Sequence, residues 1–138
     1  MPGPYVQFAT ICDRVLREAD GVLSIIRAVD RVIITADPEA PSELPEGRLT
    51  LTLVVSLKSD DARGRHPVTI QVHEPSGIAE EPKALEALFE GEERGVNLLV
   101  DFDLVAKEGL YWFDIGIHDR LLTRVPLRVI YQRIPGAR

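Results

Sequence analysis

The residues best equipped for chemistry lie near the start of the chain: Asp13, Arg14, Arg27, Asp30 and Arg31. A guanidinium group grips a phosphate or carboxylate through a planar fork of donors. The spacing matters because Asp20-Gly21, between them, is a strong hairpin signal, with glycine supplying the positive φ of a tight turn. A two-residue turn there sets Ala19 opposite Val22, Asp13 opposite Ala28 and Arg14 opposite Arg27, and the arms run back to Cys12 and Val29. Opposed arginines repel unless an anion lies between them. Asp13 and Asp30 are the nearest anions in sequence, so a structural ion-pair network is the first reading. A binding spot for a phosphate or a partner's carboxylate is the alternative.

Other reactive side chains are sparse. Cys12 is the only cysteine, so an internal disulfide and a cysteine-based zinc cluster are excluded. Neighbouring arginines favour a thiolate, but no histidine is close in sequence. Parity groups Cys12 with Val6, Phe8 and Thr10 on the apolar side of a strand, which makes a buried, inert thiol the expectation. Asp60-Asp61, Asp101-x-Asp103 and Asp119 offer oxygens for calcium. Calcium needs roughly six to eight of them converging on one point, and Asp101 and Asp103 share one strand face with no EF-hand spacing. His66, His73 and His118 are too scattered for a metal triad, and the last two fall on outward strand positions. The sequence has no Gly-x-Ser-x-Gly elbow, no Walker loop and no Gly-x-Gly-x-x-Gly. Glu80-Glu81 and Glu92-Glu93 read as solvated turns. No catalytic residue, metal site or cofactor is expected.

The bulk properties narrow the class. The 138 residues carry a formal net charge of −6 and a pI near 5.1. That argues against non-specific binding to nucleic acid or an anionic membrane, which needs a basic face. No apolar run approaches the roughly 20 residues of a membrane span. Met1-Pro2-Gly3-Pro4 lacks the basic-then-apolar order of a signal peptide. One cytoplasmic domain over 1–138 is the expectation, long enough to bury a core without disulfide staples.

Alternation of apolar and polar residues positions everything else. Gly109 to Gln132 reads as a hairpin, with Tyr111, Phe113, Ile115 and Ile117 inward on one arm and Leu121, Val125, Leu127, Val129 and Tyr131 inward on the other. A two-residue turn at Asp119-Arg120 would drive Arg124 and Arg128 into the core, which is too costly. An odd-length loop, or a bulge that resets the register, is therefore predicted. Pro126 cannot donate to a ladder and belongs at an edge or bulge.

Leu49–Leu57, Val68–His73 and Val96–Val105 alternate cleanly, with polar turns expected at Lys58–Gly64 and Glu90–Gly95. Asp37–Gly47, with three prolines and three glutamates, reads as a solvated connector. Val22–Thr35 reads as one extended arm. Lys83–Glu90 reads as a short strand, with a short helix near 82–90 as the alternative. Seven or eight strands divided by turn signals give an all-β, antiparallel β-sandwich, immunoglobulin-like or C2-like. Lys107-Glu108-Gly109-Leu110-Tyr111 matches the turn-then-tyrosine approach to a late strand of immunoglobulin-like sandwiches, where the phenol bonds back to the backbone.

Trp112 points opposite to Tyr111 and Phe113 by parity. It shares the outer face with Leu110, Leu122 and Ile130, and Leu99 and Val54 could extend the stripe. An apolar outer stripe with a tryptophan is a candidate contact surface.

Several segments together resemble an uncharacterised bacterial protein family, a domain of unknown function. They are Cys12-Asp13-x-Val15, Asp20-Gly21-x-Leu23-Ser24, Arg27-x-x-Asp30-Arg31, Pro75-Ser76-Gly77, Gly109-Leu110-Tyr111-Trp112-Phe113 and Pro126-Leu127-Arg128-Val129. The resemblance spans most of the chain. It implies a sandwich-type fold, no established activity and no catalytic residues to transfer. The expected function is a non-catalytic accessory module acting through a protein partner or self-association. The alternative is a domain that binds a small anionic ligand through the arginine cluster.

Overall fold

The computed structural model describes residues 3–134. Met1 and Pro2, half of the segment read above as lacking a leader, lie outside the described residues. The strands are β1 (Tyr5–Arg17), β2 (Leu23–Val29), β3 (Arg31–Ala36), β4 (Arg48–His73), β5 (Lys83–Val105), β6 (Gly109–Ile117) and β7 (Arg120–Arg133). Among the described residues there is no helix, and Lys83–Glu90 is strand.

The long hairpin of β4 and β5 builds the molecule. These strands run 26 and 23 residues, because the turns expected at Lys58–Gly64 and Glu90–Gly95 do not form. The ladder bends there instead, through register shifts between Lys58 and Asp60 and between Asp60 and Arg63. Asp60 and Glu92 take φ of 55° and 57°, and Gly64 and Gly91 take 90° and 92°. Bulges of this kind re-aim a strand while its pairing resumes on either side. Ser59, fully buried, ties the bend together: its hydroxyl donates to the Arg94 carbonyl and accepts the Glu90 N–H at 3.2 Å.

The bend makes two layers from one ladder. In the first, the N-terminal half of β4 pairs with β1 and with the C-terminal half of β5, and β1 pairs with β2. In the second, the C-terminal half of β4 pairs with the N-terminal half of β5 and with β6, and the order continues through β7 to β3. Alternation puts Leu51, Leu53, Val55, Leu57, Leu98, Val100, Phe102 and Leu104 inward from one layer. Val68, Ile70, Val72, Phe89, Tyr111, Phe113, Ile115, Ile117, Val125, Leu127 and Val129 meet them from the other. Phe102 and Phe113 touch across the interior, edge to face, with centroids 5.1 Å apart.

The arm expected over Val22–Thr35 is divided. Asp30 bends the chain, its carbonyl accepts Arg128 N–H at 2.9 Å, and β3 crosses to the second layer. There it pairs with β7 in parallel, the one departure from an antiparallel sandwich among the described residues.

The first hairpin differs from expectation by one residue. Arg17 opposes Leu23, Arg14 opposes Ile26 and Cys12 opposes Ala28. Glu18 N–H donates to Val22 O at 2.8 Å, closing a three-residue loop in which Gly21 takes φ 87°. Earlier in β1, a register shift between Val6 and Phe8 reverses the assumed parity. Val6, Ala9 and Ile11 pack on the core, whereas Phe8, Thr10 and Cys12 face the other way, opposite Ser56, Val54 and Thr52.

The last hairpin resets its register by a bulge. His118-Asp119 form a two-residue turn that pairs Ile117 with Arg120, yet Ile115 pairs with Thr123. Leu122 is the extra residue. It packs against the core, while Leu121, expected inward, is 55% exposed. Arg124 and Arg128 stay outside, which is the outcome the burial cost of guanidinium groups demanded. Pro126 lies on β7 before the stretch that β3 covers, so its missing donor faces no neighbour.

Candidate functional site

Trp112 projects from the outer face of the second layer. It pairs in register with His73 on one side and Pro126 on the other, and it is half-buried. The Arg124 guanidinium lies 4.5 Å from the indole, a cation–π contact that also stiffens the arginine. Asp114 fixes the other end, accepting Arg124 Nε at 2.7 Å. His73 Nε2 sits 3.1 Å from the second Asp114 oxygen, though no hydrogen bond closes at that buried atom. The result is a rigid aromatic platform ringed by polar groups.

Leu110 and Ile130 occupy the same face, both half-buried, and Ile130 stands beside Ile33, which is 50% exposed. Three of the four stripe residues read from the sequence are thus together. Leu122 is the exception, because the β7 bulge turns it inward. Leu99 and Val54 also lie elsewhere: they pair with each other on the outer face of the first layer.

The five-residue polar cluster does not assemble as one unit. The one-residue change of register removes the opposition of Arg14 to Arg27. Arg27 instead meets Asp13 at 3.1 Å, in a left-handed backbone conformation with φ 57°. Arg31 lies beyond the Asp30 bend, in the other layer, 3.5 Å from Asp30. These pairs are largely exposed, where an ion pair contributes about 0–1 kcal/mol.

The calcium candidates stay apart. Asp101 accepts from the Thr52 hydroxyl at 2.7 Å and Asp103 pairs with Arg48, whereas Asp60-Asp61 sit at the bend. Asp119 is in the last turn. Among the described residues no three His, Cys, Asp or Glu side chains converge as metal ligands.

Two histidines separated by 52 positions do meet. His118 Nε2 lies 3.2 Å from His66 Nδ1, and His66 Nε2 lies 2.8 Å from the Arg63 carbonyl. A carbonyl only accepts, so His66 donates from Nε2, and its Nδ1 accepts a hydrogen bond from His118 Nε2–H. They border a cavity of about 350 Å³ with Gly3, Pro4, Ala62, Ile117 and Arg120. Their meeting depends on β4–β6 pairing, which leaves no local trace in the sequence.

Among the described residues, three groups have displaced pKa values. Cys12 is fully buried, and burial, then the Asp13 charge, push its thiol up. Tyr111 is raised by burial; its hydroxyl donates to Val105 O at 2.7 Å and accepts Lys107 N–H at 2.9 Å. That is the back-bonded tyrosine the sequence suggested. Lys107 is raised chiefly by its hydrogen bond to Glu74. All three shifts have one sign. Each contribution is complete below the unfolded pKa, and is lost as pH rises through the folded one. Urea melts should therefore show falling stability on the alkaline side, beginning above the ordinary thiol value of 9.0. Cys12→Ala should remove the first part of the fall. Tyr111→Phe should lower stability at neutral pH by about 1–3 kcal/mol, because Val105 O and Lys107 N–H lose their partner. A profile unchanged in both variants would refute the assignment.

Two packed layers, a shared interior and a tyrosine corner make this an all-β, immunoglobulin-like sandwich. The chain belongs to a family of unknown function, DUF6941, whose profile matches residues 7–130. Among solved structures it is similar to an immunoglobulin-like protein from Pseudomonas aeruginosa, at 12% identity and TM-score 0.45, covering 91% of this chain and 95% of that one. It is also similar to the CARDB domain of a Pyrococcus furiosus protein crystallised with di-metal ions, at 9% identity and TM-score 0.40, covering 94% and 93%. No curated protein matches the chain.

Proposed function

We propose that this protein is a non-catalytic contact module that presents the outer face of its second layer to a protein partner. The observation that carries the reading is the Trp112 platform. A large aromatic ring, half-buried on the outer face, is held in place by Arg124, which Asp114 holds in turn. Tryptophan and arginine dominate binding energy when a partner excludes water around them, and a preformed arrangement loses little side-chain entropy on docking. Leu110, Ile130 and Ile33 extend the apolar area. The displaced titratable groups support the same reading, since Cys12 is buried and Tyr111 and Lys107 are engaged in closing a corner.

A photo-crosslinking residue at position 112, in cells, tests it. A protein should be captured there and not from a control at Thr50, on the outer face of the other layer. Trp112→Ala should then weaken binding of that protein by about 2 kcal/mol, roughly thirtyfold. Equal capture at both positions, or none, would overturn the reading.

A further inference from the structure

The sheet edges are not equally protected. β5 is open along its length, but carries Glu86, Glu90, Glu92, Glu93, Asp101 and Asp103 at exposed positions and is bulged in the middle. β2 is interrupted by the left-handed Arg27. The stretch of β7 that β3 leaves uncovered contains Pro126. Charge, bulges and proline are the usual protections of an edge. β3 has none of them between Val32 and Ala36: the sequence is Val-Ile-Ile-Thr-Ala, all in regular register with β7.

The hydrogen-bonding geometry says which groups this edge offers. The carbonyls of Asp30 and Ala36 accept from Arg128 and Ile134 of the β7 side. In a parallel ladder a residue's N–H and C=O point the same way, so the even-numbered residues of β3 serve β7. Arg31, Ile33 and Thr35 direct theirs outward. The Asp37–Gly47 loop leaves this edge open, because it folds toward the core end: Leu44 packs on the interior and the Tyr131 hydroxyl donates to Pro41 O at 2.7 Å.

We infer that β3 pairs antiparallel with β3 of a second copy of this chain, about a two-fold axis at Ile34, fusing the second layers into one continuous sheet. This rests on the reading of the protein as a contact module and names the partner for its edge. Paired residues must share a face, so their numbers sum to an even value. The Ile34-centred register sets Arg31 opposite Asp37, twice by symmetry, and Ile33 opposite Thr35 with the two Ile33 side chains diagonal neighbours. Centring on Ile33 would leave Arg31 facing Thr35, with no charge matched. Arg31, Ile33 and Thr35 are exposed and alternate with half-buried neighbours within β3, as one face of a strand requires; Asp37, also exposed, follows β3 directly at the head of a turn, its carbonyl accepting Ala40 N–H at 3.0 Å. An isologous contact of this kind closes on itself and stops at the dimer.

Sedimentation equilibrium of the full chain tests it, with circular dichroism confirming the fold of every variant. Wild type should sediment as a dimer. Thr35→Pro removes an outward donor and leaves the bonds to β7, so it should yield folded monomer; Ile33→Lys should do the same. R31D and D37R should each weaken the dimer about tenfold, and R31D/D37R together should restore it. A wild-type monomer at millimolar concentration overturns the inference, as does a dimer indifferent to Thr35→Pro or singly weakened variants that the double does not rescue. A monomer that still crosslinks a partner through position 112 would sink only the dimer. A β3-paired dimer with no capture at 112 would sink only the other face.

Discussion

Gly95→Ala removes most of the folding free energy. A Cβ built at Gly95 lies 1.8 Å from the Leu57 carbonyl oxygen, 2.9 Å from its carbon and 3.1 Å from Lys58 Cα. All three atoms are backbone. They belong to β4 where it is paired on both sides, with β5 at Gly95 itself and with β1 at Tyr5 and Val6, so no rotamer change relieves the overlap. Overpacking a side chain into a core usually costs about 1–3 kcal/mol; a clash against fixed backbone exceeds that range. Set against a total of about 5–15 kcal/mol for an ordinary domain, the variant should be largely unfolded or should melt far below wild type. Gly47→Ala is the control. Its nearest contact, Pro45 O, is at 3.9 Å, and the change should stay within about 0.5 kcal/mol. Thermal melts followed by circular dichroism suffice. A Gly95→Ala protein that melts beside wild type would show that the two strands do not approach as described.

Phe113→Ala has the second-largest expected effect. Phe113 is 1% exposed and its ring is the direct bridge between layers, edge to face with Phe102. Truncating a buried phenylalanine costs about 3–5 kcal/mol, as lost transfer energy plus the cavity left behind. For a chain of this size the melting temperature should fall by about 10–20 °C. The aromatic pair itself adds about 0.5–1.5 kcal/mol beyond area, so a cycle with Phe102→Leu and Phe113→Leu should show coupling of that order. Additive effects would mean that the rings do not touch. Phe102 has a second neighbour, Lys83, whose ammonium stands 4.7 Å from the ring, so the cycle should be run with Lys83 intact.

Much of this architecture could be read from the chain, and the parts that could not have a common cause. Alternation identified the inward residues of β4, of β6 and of β5 from Val96 onward, because a half-buried strand writes its two faces into successive positions. Arg124 and Arg128 of β7 revealed that its hairpin needed a register reset, since their burial is forbidden on energetic grounds. Glycine and polar runs were misread at Lys58–Gly64 and Glu90–Gly95. A bend with positive φ uses the same residues as a turn, and only the partner strand shows that the ladder continues. Asp20-Gly21 suits a two-residue turn and a three-residue loop equally, so the facing of Arg14 and Arg27 could not be settled locally. Parity placed Trp112 correctly on the outer face. It misplaced Leu122, because one inserted residue inverts everything on its far side. The Asp114–Arg124 pair was within reach of the sequence once that bulge was allowed; the His66–His118 contact was not.

The shared ladder of β4 and β5 carries a further consequence. A single pair of strands threads both halves of the interior, so there is no seam along which one half could unravel while the other survives. Amides of Leu51–Leu57 and Val68–Val72 should then exchange with solvent as one cooperative unit, released only when the entire molecule opens. The bend at Ser59 is a fulcrum without a hinge.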